Sequence, residues 1–294
     1  MEKLKLISTI LLTAIFAFQC SDNDTPVIDT NQVAYDAADV INGGRMYDKF
    51  WASETNFISP NDPIVDMVNI SNFPDFYRCK SCHGWDQKGN AASYINRGSK
   101  TTRPDVSSVD LTLVKDHSIA DIFDEVKHSN GAEVDVARTA DGTNVALGGN
   151  NMPNYGKLLT DAQVWDLVKF IKEGALDTDQ LYDVVTTGTY PTGTRIFTNV
   201  GKNGDAALGK VFYDNNCASC HGSNGRDNNG TIVSINANIG LSMGQFAREK
   251  TYEIQHKSRY GTLGSSMAGT PTATVDDIKN MLKALADPTK YPDL

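Results

Sequence analysis

Apolar residues recur at helical spacing in a few bounded stretches, separated by long polar runs without a period. The clearest stretch follows Thr160: Val164, Leu167, Val168 and Ile171 fall on one face up to Gly174. Thr160 with Gln163 three residues on is a capping box, so a helix is predicted from that point. The same logic predicts a last helix behind Thr274 and Asp277, with Ile278, Met281, Leu282 and Leu285 on its buried face. Ser118-Ile119-Ala120-Asp121 opens another helix running to about His128. From Asp36 to Trp51 the residues Ala37, Val40, Ile41, Tyr47 and Phe50 form an amphipathic pattern, interrupted by Gly43-Gly44. The stretch up to about residue 202 carries short β-prone runs, Val184-Val185 and Arg195-Ile196-Phe197.

The order of these pieces repeats. Gly44-Arg45-Met46-Tyr47 is echoed by Gly209-Lys210-Val211-Phe212, and Glu125-Val126-Lys127-His128 by Glu253-Ile254-Gln255-His256. An internal duplication predicts two units, 36–175 and 203–294, joined by a connector over 176–202. In the first unit Tyr47 lies 32 positions before Cys79, whereas Phe212 lies five before Cys217. The first unit therefore carries an insertion over 52–75, and a second one, rich in Gly and Asn, over 129–151.

A length of 294 residues suits two such units, and the formal charge of −9 argues against nucleic acid as a partner. By steering alone it favours a cationic partner face. Residues 1–20 combine Lys3 and Lys5 with an apolar run from Leu6 to Phe18, too short to span a bilayer, and end at Cys20. This pattern reads as an export signal. It resembles a bacterial lipoprotein leader, which implies lipidation of Cys20, attachment to a membrane, a polar tether over 21–35, and a periplasmic or cell-surface location. Ordinary cleavage near Ala17 is the alternative.

The other four cysteines stand in Cys79-Lys80-Ser81-Cys82-His83-Gly84 and Cys217-Ala218-Ser219-Cys220-His221-Gly222, 138 positions apart. Two cysteines three apart share one side of a helical turn, so both thiols can reach the vinyl groups along one haem edge and form thioethers. The adjacent histidine then falls beneath the ring, where a neutral imidazole is a good donor to iron. A zinc site has no reason to place histidine directly after cysteine, and a redox dithiol needs a βαβ context that is absent. Cys79, Cys82, Cys217 and Cys220 are therefore candidate covalent anchors for two haem c groups, with His83 and His221 as iron ligands.

Helix, C-x-x-C-H, helix, loop with methionine and terminal helix, in that order, resemble the class I cytochrome c fold, and the whole chain is similar to a diheme cytochrome c. The resemblance covers roughly 36–175 and 203–286. It implies an all-α architecture of tandem domains, each wrapped around one covalently bound haem. In that family a methionine supplies the second axial ligand, which carries over to Met152 and Met267. Met243 and Met281 have structural explanations as a residue after a Ser242 cap and a core residue. His128 and His256, at equivalent places in the repeat, stay open as replacements for methionine.

A His/Met pair closes the iron to outside ligands and suits outer-sphere transfer between redox protein partners, with no catalytic residue required. The different class of function is a diheme oxidoreductase, peroxidase-like or thiosulfate-oxidising, which needs an open iron position and a nearby acid or base. A cytochrome subunit feeding a larger dehydrogenase or oxidase would use the same residues as a free carrier.

Overall fold

The structure is a computed structural model, and it describes residues 28–52, 78–100, 105–128, 152, 154–226, 240–262 and 264–294. The export segment with Cys20 and nearly all of the insertions over 52–75 and 129–151 lie outside the described residues.

The first unit begins with α1 (Thr30–Ala37) and α2 (Val40–Lys49). The polar tether expected over 21–35 therefore gives way to a helix at Thr30. Asp29 caps that helix by accepting from the N–H groups of Asn31 and Gln32, and Tyr35 secures it by donating to Glu173 at 2.6 Å and meeting Trp165 edge-on. Helix α2 runs straight through Gly43-Gly44, contrary to the expected interruption. Both glycines serve close approach: a Cβ on Gly43 would stand 1.9 Å from the Asp166 carbonyl oxygen, and one on Gly44 2.4 Å from the Tyr260 ring.

Short α3 (Cys79–His83) carries the first anchor, followed by α4 (Leu111–Val114) and α5 (Ile119–His128). Helix α6 (Asp161–Lys169) has both halves of the predicted capping box, continues as a π-helical turn to Gly174, and buries the whole predicted stripe.

The connector forms a hairpin of β1 (Asp183–Thr187) and antiparallel β2 (Thr194–Thr198), pairing Val185 with Ile196. The second unit comprises α7 (Ala206–Asn216), α8 (Ala218–His221), α9 (Met243–Glu249), α10 (Thr251–Tyr260) and α11 (Val275–Leu285). The fold is mostly helical, and the hairpin is the one departure among the described residues from an all-α chain.

Each unit is built on the crossing of its first long helix with its last. In the first, Gly43 of α2 meets Asp166 of α6; in the second, Gly209 of α7 meets Asn280 of α11, where a Cβ would stand 1.7 Å from the carbonyl oxygen. The N–H groups of Asp39 and Asp205 donate to the side chains of those same residues, Asp166 and Asn280. The matching residues are thus Asp39 and Asp205, Gly43 and Gly209, Tyr47 and Tyr213. This register differs by one from the echo read in the sequence, because the repeated feature is a helix contact through glycine and not a run of similar letters.

Helix α10 binds the units together. Its sequence is polar, yet Thr251, Tyr252, Ile254, Gln255, His256, Ser258 and Tyr260 are all buried, since it lies between two cores. Gln255 donates to the Trp85 carbonyl at 2.9 Å, and Tyr260 donates to the Gly174 carbonyl at 2.8 Å. His256 is enclosed by the rings of Tyr47, Trp85, Phe170 and Tyr260, with centroids 4.9–5.9 Å away.

Candidate haem sites

The first anchor is positioned from below by α2. Arg78, the residue before α3, pairs with the buried carboxylate of Asp48 and donates to its carbonyl at 2.7 Å. Burial raises the Asp48 carboxyl, but Arg78 and Lys80 outweigh it and hold the group below its usual range. After His83 the chain turns at Gly84, whose φ of +77° is open to glycine, and the Asp86 carboxylate fills the space a side chain would need. Asp86 then holds the turn by accepting from the Ser93 N–H at 3.0 Å.

The second anchor repeats the turn at Gly222, with φ of +76°. In both units a tyrosine of the first helix reaches the same point. Tyr47 donates to the Gly84 carbonyl at 2.7 Å, and Tyr213 donates to the Gly222 carbonyl at 2.9 Å. These tyrosines tie the glycine after each anchor histidine to the helix crossing. Sequence reasoning missed them, although the repeated Asp, Gly and Tyr at one shared offset was a signal that could have found them.

His83 and His221 are both buried, and burial lowers both imidazoles, His83 to about 4 against an opposing pull from the Val109 backbone. Each ring is therefore neutral at physiological pH and has a lone pair to give. Nδ1 of His83 is buried and makes no hydrogen bond of good geometry. Burial also pushes the Cys79 and Cys217 thiols up to about 11, so each is a neutral group facing a core. Among the described residues no three His, Cys, Asp or Glu side chains gather to hold a bare ion. Spread thiols beside a neutral imidazole suit a planar group attached along one edge, so the residues present fit haem c.

Of the predicted distal ligands, Met152 packs against the same core cluster as Cys79, while Tyr155 Oη lies 4.0 Å from the Cys79 sulfur. Met267 is half-buried in the loop after α10, its sulfur 3.7 Å from Thr262 Oγ1 and its carbonyl accepting from the Thr262 N–H. Met243 and Met281 are buried in the second core, as their positions on helices predicted. The two histidines of the repeat have different surroundings: His128 is exposed at the end of α5, 3.9 Å from Asp124, and His256 sits in its aromatic cage. Trp85, Tyr155 and Trp165 are core residues.

A family model described as cytochrome c matches residues 75–175 and again 206–284. The chain belongs to the cytochrome c family. Two matched segments, each holding one anchor, make it a diheme cytochrome c. Haem-based electron transfer between redox partners is what this family membership implies, with one haem c for each unit. No curated protein and no solved structure matches the chain. Among the described residues no helix is long and apolar enough to cross a membrane.

Proposed function

We infer that this cytochrome c is an exported electron carrier tethered to a membrane through lipidated Cys20. Its irons would be held by His83 with Met152 and by His221 with Met267. Each haem, when bound, supplies one-electron chemistry. The chain's own residues keep it dry, hold a neutral imidazole on one side, and set its potential through the ligands and their burial.

The observation that carries this reading is that Cys79 and Met152 pack against one core cluster, in the same unit as the buried neutral His83. A thioether drawn to the core that also receives the anchoring thiol favours a closed, six-coordinate centre over an open one. Exposed His128 supports the same choice, because a rival ligand drawn from α5 would have to leave solvent.

The test is the absorption spectrum of the reduced and oxidised holoprotein with and without carbon monoxide. A closed carrier is six-coordinate, binds carbon monoxide slowly and does not turn over peroxide. Met152→Ala removes the methionine–iron charge-transfer band from one haem only. An unchanged band, or fast ligand binding in the unmodified protein, sinks the assignment. The mass of the mature N-terminus tests lipidation at Cys20 separately.

A further inference from the structure

The two anchors differ in what lies over them. In the first, Lys80 and Ser81 between the cysteines are buried, and the Lys80 ammonium lies 5.2 Å from the centre of the Trp85 ring. Lys257 of the second unit approaches that same ring at 5.7 Å, so the first anchor faces the seam. In the second anchor the residues between the cysteines are open: Ala218 is half-buried and Ser219 exposed.

Helix α7 runs into this exposed anchor and shows two apolar side chains at helical spacing, Leu208 at 59 % and Val211 at 58 % exposure. Their charged neighbours cancel, since Lys210 pairs with Asp214, and the helix ends in the uncharged Asn215 and Asn216. The unit as a whole is neutral too. Residues 203–294 hold nine acidic and nine basic side chains, so the entire charge of −9 resides in residues 1–202.

We propose that the α7 stripe of Leu208 and Val211, beside the exposed second anchor, is where a redox protein docks, and that this partner presents an apolar, uncharged face. The second unit is then the port for electrons and the first is the interior centre. Two exposed apolar side chains cannot supply the roughly 800 Å² per partner of a stable interface, which fits a transient encounter and not a second copy of the chain. A neutral patch also gives little long-range steering, so docking here is insensitive to salt despite the acidic chain. The proposal rests on the carrier reading above.

The experiment uses the reduced full-length holoprotein and two small oxidants of opposite charge, hexacyanoferrate(III) and tris(phenanthroline)cobalt(III), across a range of ionic strength. Near-zero salt slopes for both are expected. The double variant Leu208→Glu/Val211→Glu should slow the anionic oxidant ~3–10-fold at low salt and speed the cationic one, with the rates converging at high salt. Val185 and Ile196, 57 % and 65 % exposed on the hairpin, are the control: glutamates there should leave both rates within about twofold. Salt slopes that follow the whole chain's charge would overturn the proposal. So would rates that respond to the hairpin pair and not to the α7 pair, or a concentration-dependent dimer that the α7 variants abolish. Failure of the carrier reading shows differently, as peroxide turnover or fast carbon monoxide binding in the unmodified protein.

Discussion

Acid should loosen the seam between the units through His256. The ring is 2 % exposed and enclosed by four aromatic side chains, and burial lowers its imidazole from 6.5 to about 4. The groups facing it divide. Asp48 and the Gly44 backbone favour the proton, Arg259 and Lys257 oppose it, and burial decides the outcome.

When the chain unfolds, His256 takes up a proton below pH 6.5; in the fold it stays neutral until about pH 4. Its contribution is therefore complete above pH 6.5 and is lost as pH falls towards 4. A difference of about 2.5 pKa units corresponds to about 3 kcal/mol, a large share of a typical domain's stability. Urea unfolding of the holoprotein at pH 7.5 and pH 4.5, followed through tryptophan fluorescence, measures the loss. His256→Phe keeps an aromatic ring in the cage and removes the proton site. Its fall in stability between the two pH values should be smaller than that of the unmodified protein by most of that amount. Carboxylates other than Asp48, which His256 helps to hold down, and the anchor histidines contribute equally to both proteins, so they cancel in the comparison. An identical pH dependence in the two would refute the burial argument.

The paired tyrosines make a second test. Tyr47→Phe and Tyr213→Phe each remove one of the two hydrogen bonds accepted by the carbonyl beside an anchor, the other coming from the Gln87 or Gly225 N–H, at a cost of about 1 kcal/mol, read by thermal unfolding of the holoprotein. Gly43→Ala and Gly209→Ala force backbone contacts of 1.9 Å and 1.7 Å apart and should each cost upwards of about 2 kcal/mol, seen as reduced expression or a lower Tm. Thr160→Ala and Thr274→Ala remove one half of a capping box and should cost about 1 kcal/mol each, with the spectra of both haems unchanged.

Local features were well signalled in the sequence. Both capping boxes and both terminal stripes follow from spacing alone, because a helix's buried face is set by residues three and four apart. The β-prone runs Val184-Val185 and Arg195-Ile196-Phe197 became the hairpin because β-branched and aromatic side chains suit a pleated strand. Features that depend on distant neighbours were hidden. Gly43-Gly44 has the same letters whether it breaks a helix or admits another, and only Asp166 and Tyr260, far along the chain, decide it. The burial of helix α10 leaves no apolar stripe to read, because its polar residues are paired across the seam, as Gln255 is with Trp85. Equal positions in the repeat also concealed unequal surroundings. His256 entered the cage because the second unit's helix docks on the first, whereas His128 ends its helix exposed, beside Asp124. The anchors themselves needed no tertiary context, since Cys-x-x-Cys-His carries its chemistry within one turn.

The central claim is that each of two anchors holds a haem covalently. The intact mass of the denatured holoprotein tests it most directly. The account predicts a mass equal to the mature polypeptide plus two haem groups, retained after acid and organic solvent have unfolded the chain. A mass with one haem, or with none, would contradict it.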